Sequence, residues 1–317
     1  MARTAATARR FHRLIDRYWD FVLRDDPLFA TRIGDHRFDD RLPAASERAQ
    51  THRLERLRTF LEGCRTIRPS SLPLKDRLDH DILARVLGDR IRRLEFHAYR
   101  MPISKTGGFH AAFAELPLTT RLVTREDHAN FIARLGAFPT FVEEQIEVMR
   151  EGLREGQVPP QTTLIGLDAQ VRAQVVDDPE KSPLFGPMRA FPSSITGDAT
   201  SRLAESARHA IKSAVVPAYV ALLKFVEDEY IPRAREDIAA SNLPDGRAYY
   251  AHCIQLHTTL DRTPKEIHEI GLSEVRRLRG EMDAVIKRSG FAGTFQEFVE
   301  FLRTDPRFYA TNPEDLL

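Results

Sequence analysis

Apolar side chains recur at intervals of three and four residues along nearly the whole chain. The first stripe, Phe11, Leu14, Ile15, Tyr18, Phe21 and Val22, stops at Arg24-Asp25-Asp26-Pro27, so it predicts an amphipathic helix closed by a proline. Ser46 is placed to cap a second helix carrying Leu54, Leu57, Phe60 and Leu61; Leu78, Ile82, Leu83, Val86, Leu87, Ile91 and Leu94 mark a third that ends before Pro102. Thr124 opens a long helix through Phe131, Leu135, Phe138, Phe141, Val142, Ile146 and Met149, which Pro139 is expected to kink or divide. After Pro159-Pro160 helix resumes through Leu164, Leu167, Val171 and Val175. Another helix, from near Ser201 through Ile211, Val215, Tyr219, Leu222, Val226 and Tyr230, should be interrupted around Pro217.

Between these helices Pro179 to Gly197 has no sustained period, which predicts an irregular connection, packed on the surface or serving as a lid or cleft rim. The clearest local signal is Thr263-Pro264-Lys265-Glu266. Thr263 caps a helix, Pro264 sits where no N–H is needed, and Glu266 reaches back to the cap. The buried stripe of that helix is expected to be Ile267, Ile270, Gly271, Val275, Leu278, Met282 and Val285, and Gly290 and Gly293 should end it before a shorter helix with Phe295, Phe298, Val299, Phe301 and Leu302. Strand patterning is nearly absent, so the fold class is all-α: one large helical unit, with a possible sub-division into 1–157 and 158–317. The final residues, Asn312-Pro313-Glu314-Asp315-Leu316-Leu317, read as the capped start of a further helix, so the sequence reads as the front part of something longer.

Composition removes several functions. Basic and acidic residues number 47 and 46, a net charge of +1, which gives no overall field for nucleic acid or an anionic membrane. Cys64 and Cys253 have no paired spacing, so neither a disulfide scaffold nor a cysteine zinc site is expected, and a reducing, cytoplasmic setting is the simpler reading. No run approaches the roughly 18 uninterrupted apolar residues of a membrane span, and the first residues lack a secretory apolar segment.

Chemistry is sparse. His268-Glu269 begins the helical zinc-protease pattern, but residue 272 is Leu where the second imidazole must be. His252 and His257 are five apart, about 140° around a helix, and do not share a face. Tyr249, Tyr250, His257, Thr258 and Thr259 are the candidates for facing a substrate; local capping or core packing explains them as well. No nucleophile motif is present, Gly107-Gly108 lacks the rest of a phosphate loop, and Arg90, Arg92 and Arg93 beside Asp89 and Glu95 read as a solvated face.

Several stretches nevertheless share one pattern: Tyr18-Trp19-Asp20 with Gly34-Asp35 and Arg37-Phe38-Asp39-Asp40-Arg41-Leu42; Arg150-Glu151-Gly152-Leu153 through Gly156 to Pro159-Pro160; Ser182-Pro183-Leu184-Phe185; and Leu243-Pro244-Asp245-Gly246 with Tyr249-Tyr250, Thr258-Thr259, Thr263-Pro264, Glu266-Ile267-His268 and Gly271-Leu272. This pattern resembles the N-terminal portion of the DUF885 family, bacterial proteins regarded as zinc-metallopeptidase-like. The resemblance implies a helical protein around a deep cleft that hydrolyses peptides or related amides. It also implies that zinc belongs to complete members only: the family's His-Glu and Pro-Gly-His-His motif would lie beyond Leu317, so no catalytic residue or metal ligand carries over, and this chain needs no cofactor of its own. Alone it is expected to be inactive, to form cleft wall and scaffold, and to self-associate through an apolar face that includes Phe295, Phe298, Phe301 and Leu302. A helical binding module without catalysis is the alternative.

Overall fold

The first stripe builds α1 (Ala2–Asp25), whose Phe11, Tyr18 and Val22 are buried with Leu57 and Phe60 of α2 (Glu47–Arg65) and Leu83, Leu87 and Ile91 of α3 (Leu74–Glu95). The computed structural model describes residues 2–316, apart from the side chains of Ala2, Arg3 and Asp315. Ser46 caps α2 by accepting from the Ala49 N–H at 3.4 Å, as its position predicts. The α3 stripe divides: Leu83, Leu87 and Ile91 face inward, whereas Leu78, Ile82 and Val86 are exposed. Seven apolar positions span more of the helix circumference than its neighbours cover.

Thr124 and Asp127 form a reciprocal capping box at the start of α4 (Arg125–Glu155). Pro139 does not divide this helix, which runs unbroken to Glu155. Phe131, Leu135, Phe138, Phe141 and Val142 are all buried around the proline. At about 1.5–3 kcal/mol per buried side chain, they outweigh the ~3 kcal/mol that an internal proline costs. They pack against α5 (Asp198–Tyr230), which contributes Ala207, Ile211, Val215, Tyr219, Leu222, Val226 and Tyr230. The interruption expected at Pro217 takes the form of a π-turn, Ile211–Val215, in which the Val216 N–H donates to the Ile211 carbonyl; the helix then continues. A wider turn absorbs the register that the proline disturbs. α5 is long and apolar enough to cross a membrane by length and composition, and half of its most apolar window is buried in the protein's own core.

Pro179–Gly197 forms short 3-10 turns whose Leu184, Phe185, Met188 and Ile195 are buried in the α4–α5 core. It is a packed connection. The only paired strands among the described residues are Ile103–Ser104 and Gly107–Gly108, two residues each. The same core holds His110, whose Nε2 lies 3.1 Å from Gln170 Oε1. Burial depresses the His110 pKa below its ordinary value near 6.5, only partly opposed by Gln170. A depressed folded-state pKa stabilises the neutral form above pH 6.5, and that stability is lost as pH falls and the unfolded chain takes up the proton. Urea midpoints should therefore fall between pH 7 and pH 5, and more steeply than in His110→Gln; equal slopes would remove His110 as the cause.

The chain separates into two compact units, Met1–Tyr250 and Ala251–Leu317. α6 (Gly246–Thr258) leads from the first into the second, which holds α7 (Pro264–Arg288) and α8 (Phe295–Thr304). The Thr263–Glu266 capping box forms as read from the sequence. The stripe expected to be buried on α7 is not: Ile270, Val275, Leu278, Met282 and Val285 are 45–65% exposed, and among the described residues of α7 only Ile286 is buried. The reason is shortage of partners. In α8, Phe298 and Phe301 each lie 5.2 Å from Phe291 and Phe301 also meets Phe308, while Phe295 lies under the Arg279 guanidinium at 4.0 Å; all three are half-buried and Leu302 is exposed. After Asn312-Pro313 a 3-10 turn, Glu314–Leu316, follows; Leu317 and the Asp315 side chain lie outside the described residues.

Candidate functional site

Stretches far apart in sequence meet at one corner of the first unit. α4 ends at Gly156 in the left-handed conformation. One turn earlier, Gly152 lies against the turn that follows α3: a Cβ there would sit 2.6 Å from the Gln157 carbonyl oxygen and 3.2 Å from both the Arg100 carbonyl and its Cβ. Arg150 forks onto Glu229 at the end of α5, at 3.0 and 2.5 Å. Arg235 then latches the next segment, donating from Nε to the Val158 carbonyl and from Nη1 to the Ala239 carbonyl, while its own carbonyl accepts from Gln161. Gly246 has backbone of Ala240 and Ser241 where a Cβ would go. The glycine- and proline-rich positions of the pattern are therefore joints, at which backbone passes backbone.

Tyr249 continues this corner, with its ring edge-on to Phe96 at 5.6 Å. Phe96 begins the turn into Pro102. Within it, Tyr99 donates its hydroxyl to Glu47 at 2.6 Å and Arg100 donates from Nε to the other Glu47 oxygen at 2.8 Å. Burial and then Glu47 push the Tyr99 hydroxyl above its ordinary pKa, so it remains a donor.

Beside this turn α2 and α3 enclose a cleft of about 470 Å³, within the range of small-molecule sites. Its apolar wall is Leu57, Leu94, Met101 and Pro102; its polar wall is Gln50, Arg53, Arg90, Arg93 and Tyr99, with no carboxylate among them. Arg53 is occupied, since it binds Asp25 and Gln50 at 2.5 Å each and the Ala44 carbonyl at 3.3 Å. Arg90 donates once, to the Tyr18 hydroxyl at 2.9 Å. Arg93 is exposed and pairs with no carboxylate among the described residues. The acids read as its solvated-face partners are engaged elsewhere, Asp89 with Arg85 and Glu95 with Arg58.

The sequence candidates are dispersed along α6. Tyr249 is packed on Phe96 and Tyr250 is 46% exposed, both in the first turn. His257 is exposed in the last turn. Thr258 spends its hydroxyl on local closure, donating to the Ile254 carbonyl at 2.7 Å and accepting from the Leu260 N–H at 3.1 Å, and Thr259 follows with φ 62°. His252 is buried and His268 exposed. Among the described residues no three His, Cys, Asp or Glu side chains are grouped so as to hold a metal ion. The arginine cleft has no sequence signature: pairing at i,i+4 is degenerate, and only the structure shows that Asp89 turns toward Arg85.

A family model described as "Bacterial protein of unknown function (DUF885)" matches residues 27–317. A solved structure described as "the putative lipoprotein from Colwellia psychrerythraea" is similar with a TM-score of 0.83 and 19% sequence identity, over 99% of this chain and 56% of that one. This chain thus spans little more than half the length of that protein, and the likeness is one of fold. No curated protein matches the sequence.

Proposed function

We propose, from the premise that this chain belongs to the DUF885 family, that it is the helical, non-catalytic portion of a peptidase- or amidase-like hydrolase, supplying cleft wall and scaffold for structure that carries the chemistry. The observation behind this reading is the apolar ladder on α7, Ile270, Val275, Leu278, Met282 and Val285, which is exposed although it follows a formed capping box. An amphipathic helix with its apolar face in water is a helix prepared for a partner element. The 56% coverage of the structural neighbour supports the same reading, since that protein has chain enough to supply one. The hydrolase class itself rests on the family resemblance, and the described residues supply no metal site to derive a step from. A second reading, a binding module without catalysis, is favoured by the arginine-lined cleft.

The test is zinc content per chain on untagged protein, with cleavage of a mixed short-peptide library before and after chelation. The expected result is no stoichiometric zinc, no chelator-sensitive cleavage, hydrophobic-dye binding, and self-association that Val275→Glu with Met282→Glu abolishes. Stoichiometric zinc with chelator-sensitive cleavage overturns the non-catalytic reading; a monomeric, dye-inert chain overturns the role given to α7.

A further inference from the structure

We propose that the cleft between α2 and α3 is a binding site for the carboxylate of a small organic acid with an apolar body. The inference goes beyond the scaffold reading and does not depend on it.

Arg90 and Arg93 lie three residues apart on α3 and line the same cleft. Residues at that spacing are neighbours on one helix face, where like charges repel. Proteins ordinarily relieve such a pair with an acid one turn away, yet Asp89 is drawn to Arg85 and Glu95 to Arg58. Glu47, the acid bonded to Tyr99 behind the cleft wall, has both oxygens engaged, one by Tyr99 and one by Arg100. Among the described residues, only one donor of the two guanidinium forks has a partner: an Arg90 N–H, on the Tyr18 hydroxyl. The remaining N–H groups suit the two oxygens of a carboxylate, which arginine binds in a planar, bidentate way.

The rest of the cleft selects what the anion is attached to. Leu57, Leu94, Met101 and Pro102 form an apolar wall, and burying apolar ligand surface there adds affinity that a bare inorganic anion does not gain. Tyr99 and Gln50 are held by their own hydrogen bonds, so the wall is set before a ligand arrives.

The probes are N-acetyl-leucine, which carries an apolar body and a carboxylate, and N-acetyl-leucine amide, which differs only in lacking the charge, each titrated by calorimetry at constant ionic strength. Arg93→Gln is the variant of choice because Arg93 makes no contact that the fold uses, and an unchanged melting temperature verifies this. Arg65→Gln, at the exposed end of α2 and outside the cleft, is the control. We expect the acid to bind at least ten times more tightly than the amide, Arg93→Gln to weaken the acid about tenfold while leaving the amide unchanged, and Arg65→Gln to leave both unchanged. Inorganic phosphate should compete more weakly than the acid. Equal binding of acid and amide, undiminished binding of the acid to Arg93→Gln, or no heat from either probe overturns the proposal. None of these readouts involves zinc or peptide cleavage, so the site and the scaffold reading fail separately.

Discussion

Replacing Arg134 by Met should lower the unfolding free energy by about 3–5 kcal/mol, the range for removing one member of a buried, hydrogen-bonded ion pair. Arg134 is 0% exposed in the middle of α4. Its Nε donates to the Arg41 carbonyl at 2.9 Å, and its Nη2 lies 2.6 Å from Thr31 Oγ1 and 3.1 Å from the Phe38 carbonyl. Asp39 completes the group, 2.5 Å from Thr31 Oγ1, 2.8 Å from His36 Nδ1 and 3.6 Å from the guanidinium. One side chain thereby fastens the Pro27–Arg41 segment to the middle of α4. Burial pushes the Arg134 pKa down, opposed by Asp39 and then Asp40, so the charge is sustained by its neighbours rather than by water. Methionine fills much of the volume but leaves Asp39 without its counter-charge. The cost should appear as a shift in urea midpoint, and Arg134→Lys should rescue little, because an ammonium cannot fork. In a double-mutant cycle with Asp39→Asn the two losses should be less than additive. A loss under 1 kcal/mol for Arg134→Met would show that the loop is held by its apolar contacts instead.

This network also marks where reading the sequence stops. Periodicity located α1 to α5, α7 and α8, and both early caps, Ser46 and Thr124, are read correctly, because helix formation and capping are decided within a few residues. It failed wherever the outcome depended on what stands opposite. The α7 stripe has the right spacing for burial, yet nothing in the spacing says whether a partner helix is present, and Val275 and Met282 are exposed. Arg134 is one of forty arginines in the sequence, distinguished only by a loop roughly a hundred residues away. At the candidate site the sequence leaves Tyr249 open between cleft wall and packed ring, and only the structure places it against Phe96; the Arg90–Arg93 pair likewise depended on which acid each neighbour chose. Local order is written locally; charge left unpaired is a property of the assembled corner.

The same distinction gives two glycines of α4 opposite signs. Gly136 has nothing within 4 Å of where a Cβ would be, so Gly136→Ala should stabilise by about 0.5–1 kcal/mol by reducing the freedom of the unfolded chain. Gly152 sits in the same helix and by propensity alone should behave alike. Its added methyl would instead lie 2.6 Å from the Gln157 carbonyl and 3.2 Å from Arg100, and backbone atoms cannot turn aside as a flexible side chain can. Overpacking of this kind costs about 1–3 kcal/mol, and here it falls on the joint where α4 meets the turn after α3. Moving Arg100 away from α4 strains its bond to Glu47, which also holds Tyr99 on the wall of the arginine cleft. Gly152→Ala should therefore lower the urea midpoint and also weaken N-acetyl-leucine binding, although residue 152 does not line the cleft. Gly136→Ala should raise the midpoint and leave binding alone. If the two variants shift stability in the same direction, the close crossing at Gly152 does not constrain the fold; if Gly152→Ala loses stability but keeps full binding, the cleft is set by α2 and α3 without help from the turn.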